Sequence, residues 1–277
     1  MSYLKEVKRI TTTGLQSMKV QGEKIAMLTC YDYTMATLLD TAGVDVLLVG
    51  DSASNVMAGH ETTLPITLDQ MIYHAQCVSR GAKRAMVLVD MPFGSYQSDS
   101  AIALASAVRI MKETGAHAVK LEGGEEMLES ILKITKAGIP VMGHLGLTPQ
   151  SIHQFGSYGL QGKGEEAAEK LLREAIMLQE AGCFGLVLEK IPTVLAAHVS
   201  NALQIPTIGI GAGVNCDGQV LVLHDLLGIY TGPASGKTFK SPRFVKNFLS
   251  AHGSIQSAIS HYVQAVKTAE FPGKEHS

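Results

Sequence analysis

Two apolar runs of this chain end abruptly in an aspartate: "VDVLLVGDSASN" at 44–55 presents Asp51, and "RAMVLVDMPFGSY" at 84–96 presents Asp90. A third, "VKLEG", spaces Lys120 and Glu122 two apart, which in an extended strand puts both on one face and Leu121 on the other. Facing a protein interior, such residues need partners, because an unpaired buried charge costs several kcal/mol or more. Asp51, Asp90 and Glu122 set against Lys120 leave a surplus of two negative charges. A divalent hard cation with oxygen ligands neutralises that surplus, and Mg2+ keeps positions open for water or substrate. The alternative is a buried ion-pair network in which some carboxylates are protonated.

Glu189 closes the apolar "FGLVLE", either as a general base or in a rim salt bridge with Lys190. His144 in "GHLG" could orient a substrate oxygen or fill a structural role. A metal with open positions, a lysine and a carboxylate base suit enolate chemistry on a small 2-oxo acid. Such an acid chelates through its carboxylate and keto oxygen, so the metal acts as a Lewis acid. Lys120 stabilises the same oxygen, and the base removes a proton from the carbon beyond the ketone. Other fragments fall away. "GIGAG" at 209–213 brings its third glycine one residue early for a dinucleotide loop. "GPASGKT" at 232–238 has three residues, not four, between its glycines and reads as a surface turn. "HETTL" at 60–64 lacks the second histidine of a zinc-protease helix.

These side chains can meet only if the elements carrying them converge. Short runs rich in Val, Ile and Leu predict strands at 24–32, 44–52, 84–91, 117–124, 140–146, 184–191, 206–213 and 218–225, the last of which could also be extended loop. Their lack of alternation suits a parallel sheet buried on both faces. Between them lie helical segments with their own signals. "TLDQ" at 67–70 fits a capping box, Gly138 and Gly182 fit C-terminal caps, and Pro192 fits a first helical turn. Eight βα units in a chain of 277 residues favour a closed (β/α)8 TIM barrel over a doubly wound sheet. The expected organisation is one domain over 1–277, with the barrel at about 24–250, a preceding segment at 1–23 and extra C-terminal helix. In a barrel, the ends of the apolar runs share one face, where active sites are built. The long connections at 53–66 and 147–164 lie on that face and suit covers over a metal site.

Composition narrows the function classes. A formal net charge of -2 with 46% hydrophobic residues gives no sign of nucleic-acid or anionic-membrane binding. The N-terminus lacks the apolar core of a secretory signal, and no window approaches the ~20 apolar residues of a membrane span, so a cytoplasmic protein is expected. Cys30, Cys77, Cys183 and Cys216 are widely spaced without a CxxC pair, which points to free, mostly buried thiols.

Six segments in order, the first beginning "MLTCYDYTMATLLDTAGVDVLLVGDSASN" and the others "VDMPFGSY", "VKLEGG", "VMGHLGLTPQS", "LVLEKIP" and "IPTIGIGAGVNCDGQVLVLHDLLG", closely resemble the ketopantoate hydroxymethyltransferase family. The resemblance runs from about Lys24 to Phe248. It implies transfer of a one-carbon unit from 5,10-methylenetetrahydrofolate to 3-methyl-2-oxobutanoate, giving 2-dehydropantoate and tetrahydrofolate in pantothenate biosynthesis. It also implies Mg2+, one per subunit, held by Asp51, Asp90 and Glu122. Contacts to the oxo acid would come from Asp51, Ser52, Asp90 and Lys120, with Glu189 as proton acceptor. A cytoplasmic homodecamer, built as a pair of pentameric rings, is implied as well. The loop before "FVK" in "YTGPASGKTFKSPRFVKNF" departs from the family pattern. Two other reactions compete. A Mg2+-dependent lyase or mutase of the isocitrate lyase type shares the fold and the oxo-acid chelation, but the "KKCGH"-like loop of the lyases is absent. A Schiff-base aldolase using Lys120 would need no metal.

Overall fold

The computed structural model describes residues 8–235 and 239–276. Eight strands form a closed parallel barrel in chain order, with β8 pairing back onto β1. They are β1 (Ile25–Thr29), β2 (Val46–Val49), β3 (Met86–Asp90), β4 (Ala118–Lys120), β5 (Val141–Gly146), β6 (Gly185–Glu189), β7 (Thr207–Ile210) and β8 (Gly218–Leu221). Helices α1 (Thr12–Val20), α2 (Tyr33–Thr41), α3 (Ala53–Val56), α4 (Leu68–Gly81), α5 (Ser100–Thr114) and α6 (Leu128–Lys136) belong to the first half. The second half carries α7 (Ile152–Phe155), α8 (Glu165–Glu180), α9 (Thr193–Ala202), α10 (Leu223–Leu227), α11 (Leu249–His252) and α12 (Ile255–Lys267).

Each strand is buried on both faces, which is why none shows an alternating pattern. Residues such as Leu28, Leu47, Val87 and Val119 point outward into the layer shared with the helices. Their neighbours Met27, Val46, Leu88, Ala118, Met142 and Val187 fill the barrel interior. Leu15 and Met18 of α1 join that inner cluster, so the N-terminal helix plugs one end of the barrel. Burial of two such side chains contributes about 1.5–3 kcal/mol each.

Local chemistry sets the helix ends. Thr67 and Gln70 form the expected capping box on α4, and Asp32 and Asp99 cap α2 and α5 through backbone N–H groups. Gly138 and Gly182 lie just past α6 and α8 in the left-handed conformation. Pro192 is the N-cap of α9, one residue outside the helical turn expected for it.

Two details differ from the sequence pattern. No helix lies between β7 and β8 among the described residues; the link "GAGVNCD" holds two left-handed glycines, Gly211 and Gly213, and no helical apolar spacing. Strand eight stops at Leu221, so Asp225 belongs to α10 instead of an extended run. Residues 236–238 of "GPASGKT", and residues 1–7 of the N-terminal segment, lie outside the described residues. Among the described residues no helix is long and apolar enough to cross a membrane. All four cysteines are free thiols, and burial pushes Cys30 and Cys183 up to about 12.

The seam where the barrel closes is fastened from outside by α12. The buried Tyr262 hydroxyl lies 2.9 Å from the Met27 carbonyl of β1 and 3.0 Å from the Gln219 carbonyl of β8, its single proton shared between them. Tyr262→Phe leaves two buried acceptors without this donor and is expected to destabilise the protein by about 1–3 kcal/mol in urea titrations. An unchanged midpoint would show that the bridge adds nothing to closure.

Candidate active site

The period of two along each strand delivers a polar layer on top of the apolar ones. Met86 and Leu88 of β3 face inward and Asp90 follows; Ala118 of β4 is followed by Lys120 and Glu122; Met142 of β5 by His144; Val187 of β6 by Glu189. Register aligns them around the ring, Asp90 opposite Lys120 and Gly146 opposite Glu189. At the same level β2 runs out through Gly50, where a Cβ would stand 2.7 Å from Ser52 Oγ. That missing side chain lets the chain turn and present Asp51 and Ser52. Gly146 meets a similar demand, since a Cβ there would lie 2.2 Å from the Glu189 carbonyl oxygen.

All the residues expected at the site from their spacing, namely Asp51, Ser52, Asp90, Lys120, Glu122, His144 and Glu189, line one cavity of about 570 Å³. Five are ionisable and nearly inaccessible: Asp51 4%, Asp90 3%, Lys120 4%, Glu122 5% and His144 3%. The Asp51 amide donates to Asp90 Oδ2 at 3.1 Å, so the two aspartates stand side by side. Lys120 Nζ is 2.9 Å from Asp90 Oδ1 and 4.0 Å from Glu122 Oε1. The first contact is an ion pair by distance but off the hydrogen-bond axis, so Asp90 Oδ1 keeps lone-pair capacity. His144 bridges the remainder. Its Nδ1 is 3.3 Å from Lys120 Nζ and 3.4 Å from Glu122 Oε1, and its Nε2 is 3.4 Å from Glu189 Oε2.

Charge explains the ionisation of each group. Burial, with Asp90 and Glu122 close by, drives the Asp51 carboxyl well above the usual carboxylate range. Burial also raises Asp90, though the Lys120 ammonium works against it. Glu122 resists its own burial through His144 and Lys120 and is held below the ordinary value. Burial opposes a charge on Lys120, yet Asp90, Glu122 and Asp51 outweigh it and keep the ammonium charged. Burial and Lys120 press the His144 imidazole down, but its contacts with Glu122 and Glu189 prevail and lift it to about 9. With the imidazole protonated, Nδ1 donates to Glu122; with it neutral, the same atom can accept from Lys120. Four carboxylates thus face two cationic groups, again a surplus of two negative charges.

The donor set fits a hard divalent cation: carboxylate oxygens, an excess of two charges and a buried oxygen with unused capacity. Asp51 and Asp90 are the adjacent pair. The Glu122 carboxylate is turned toward His144 and the Gln150 amide, and among the described residues no three acidic, His or Cys groups already stand as a ligand shell.

Sequence reasoning passed over the neutral residues that hold these carboxylates. Gln150 donates its backbone N–H to Glu122 Oε2 and its side-chain amide to Asp51 Oδ2, both at 2.9 Å. Tyr96 and Gln97 fix the amide by donating to its oxygen at 2.7 and 2.8 Å. The Tyr31 hydroxyl is 2.9 Å from both Thr29 Oγ1 and Ser52 Oγ, and so orients the serine. The connections at 53–66 and 147–164 wall the cavity through Asn55, Val56 and Thr63 on one side and Pro149 and Tyr158 on the other. The salt bridge considered between Glu189 and Lys190 does not form. Lys190 adopts a left-handed backbone (φ 46°) and its ammonium donates to the Tyr158 carbonyl, leaving Glu189 to His144.

Comparison with known proteins gives a consistent picture. Residues 9–274 match the family model described as ketopantoate hydroxymethyltransferase. The chain is 63% identical to a 3-methyl-2-oxobutanoate hydroxymethyltransferase of Flavobacterium johnsoniae, covering 97% of this chain and 96% of that one. It is 61% identical to a protein of the same name from Cytophaga hutchinsonii, with the same coverage. Among solved structures, phosphonopyruvate hydrolase in complex with oxalate and Mg++ is 9% identical at a TM-score of 0.59, over 77% of this chain and 81% of that one. Oxaloacetate acetylhydrolase is 12% identical at a TM-score of 0.59, over 94% of both chains. At these identities the two structures share the fold alone.

A carboxyl whose folded pKa is raised gives its most favourable contribution at acid pH and loses it as pH rises. Asp51→Asn removes that buried like charge while leaving an oxygen to accept from Gln150. With a chelator present, the variant is expected to melt above wild type by about 2–4 °C, roughly 1 kcal/mol for a chain of this size, with the gap widening as pH rises. A lower melting point than wild type at every pH would contradict the electrostatics described.

Proposed function

The chain belongs to the ketopantoate hydroxymethyltransferase family of enzymes, and from that premise we propose that it transfers a one-carbon unit from 5,10-methylenetetrahydrofolate to 3-methyl-2-oxobutanoate. The transfer consumes one water and yields 2-dehydropantoate and tetrahydrofolate, a step of pantothenate biosynthesis. The observation that carries the proposal is the buried carboxylate–lysine–histidine layer opening on a single cavity.

Asp51, Asp90 and Glu122 would hold Mg2+, one per subunit; when bound, the ion supplies a Lewis acid for the keto oxygen of the oxo acid. Lys120, kept charged by its carboxylate neighbours, stabilises the negative charge that develops on that oxygen. Ser52, held by its hydrogen bond with the Tyr31 hydroxyl, contacts the oxo acid. Glu189 takes the proton from C3, and the C–H electrons move into the enolate. His144 lies between Glu189 and Lys120 and steadies the base through Nε2. His144 donates through Nδ1 to Glu122 when protonated and can accept there from Lys120 when neutral. Loops 53–66 and 147–164 limit water around the enolate. The cavity is much larger than a five-carbon oxo acid needs, which leaves room for the one-carbon donor. A cytoplasmic homodecamer completes the proposal.

The competing reactions fit less well. A Schiff-base lysine needs a depressed pKa, whereas Lys120 is raised and ion-paired. The lyase reading calls for a reactive cysteine, but no cysteine lines the cavity. Phosphonopyruvate hydrolase, solved in complex with oxalate and Mg++, shares the fold.

In deuterated water, wild-type protein with Mg2+ should exchange the C3 proton of 3-methyl-2-oxobutanoate without any folate. Glu189→Gln is expected to slow that exchange by about 10²- to 10⁴-fold, the usual worth of a general base. Exchange at the wild-type rate would remove Glu189 from the role.

A further inference from the structure

Beyond the carboxylate layer the cavity continues toward a wall built after β8, where Val222, Asp225, Tyr230, Phe239 and Phe244 line it. Tyr230 and Phe239 stand edge to face with ring centroids 4.7 Å apart. Asp225 is the odd residue on this mostly apolar surface. Its Oδ1 is buried and has no hydrogen-bond partner among the described residues. The other carboxylates lining the cavity each have a polar partner: Asp51 the Gln150 side chain, Asp90 the Asp51 amide and the Lys120 ammonium, Glu122 the Gln150 amide, Glu189 an ion-pair contact with His144, and Glu61 an interaction of its own. Burial alone pushes the Asp225 carboxyl up to about 6, as expected for an acid held away from water with no donor supplied by the protein. A buried acceptor left unmade is costly, and at the wall of a ligand cavity that cost is recovered when the ligand brings the donor.

We propose that Asp225 recognises the one-carbon donor by accepting hydrogen bonds from adjacent N–H groups of its pterin ring, with the aromatic residues Tyr230, Phe239 and Phe244 bordering the ring. A pterin presents a ring N–H and an exocyclic amino group side by side, a donor pair that matches one carboxylate. Its flat ring suits an aromatic and apolar wall. This assignment rests on the proposed folate donor and adds the residue that selects it. Asp225 does not touch the proton-transfer groups, so it belongs to recognition of the second substrate and not to enolate formation.

The test pairs tetrahydrofolate binding, measured by calorimetry on the Mg2+- and oxo-acid-loaded protein, with folate-free C3 deuterium exchange. Asp225→Ala should weaken tetrahydrofolate binding by about ten- to hundredfold, the worth of a charge-assisted hydrogen bond. Asp225→Asn, which keeps one acceptor but also offers a donor, should lose less. C3 exchange within a few-fold of wild type in both variants would confirm that they fold and that the oxo-acid site is intact. Equal tetrahydrofolate binding by wild type and Asp225→Ala would overturn the inference and leave the folate donor standing. Parallel losses of binding and exchange would also overturn it, by assigning Asp225 to the common site. No tetrahydrofolate binding by wild type would overturn both.

Discussion

The site depends on unbalanced charge inside a barrel. Asp51, Asp90 and Glu122 are buried around one lysine, and burial together with the neighbouring carboxylates raises the Asp51 carboxyl. Much of the surrounding structure serves to hold that arrangement. The apolar layers below keep the interior dry and α1 closes the far end. Gln150 grips two of the carboxylates at once, and Tyr96 and Gln97 fix the orientation of its amide. Such a cluster of buried like charges lowers stability, and clusters of this kind gather at functional sites; its carboxylates also keep Lys120 charged.

Geometry then separates the roles of residues that look alike in composition. Asp51 and Asp90 adjoin each other, whereas Glu189 sits across the ring and reaches the cluster only through His144. Glu122 lies between these two groups, shared by the imidazole and the Gln150 backbone. Asp225, on the wall beyond, has no such connection. One barrel mouth therefore holds an adjacent pair of aspartates, a glutamate reached only through His144 and an unpartnered buried carboxylate oxygen.

The barrel and its charged layer were legible because strands buried on both faces leave continuous apolar runs, and a charge at the end of several of them stands out. Asp90, Lys120, Glu122 and Glu189 were found in this way, at the register where the strands align them. Strands β7 and β8 are joined by a short glycine-containing link, with no helix between them among the described residues. Gln150, Tyr96 and Tyr31 were invisible as site residues. They are neutral, lie off the strands and act through directed hydrogen bonds, none of which leaves a mark in periodicity or charge. Asp225 was hidden differently, since its apolar approach resembled the end of an eighth strand while the chain had already turned into α10. For His144 the sequence left a substrate-orienting and a structural role open, and its contacts with both Lys120 and Glu189 place it within the charged network.

If one divalent ion meets the surplus charge of this layer, titration of Mn2+ into the protein in the presence of 3-methyl-2-oxobutanoate, with free ion followed by electron paramagnetic resonance, should give one bound ion per chain, and Asp90→Asn should abolish the site while the protein stays folded. Binding of equal strength and stoichiometry in wild type and Asp90→Asn, or no binding to wild type at all, would contradict it.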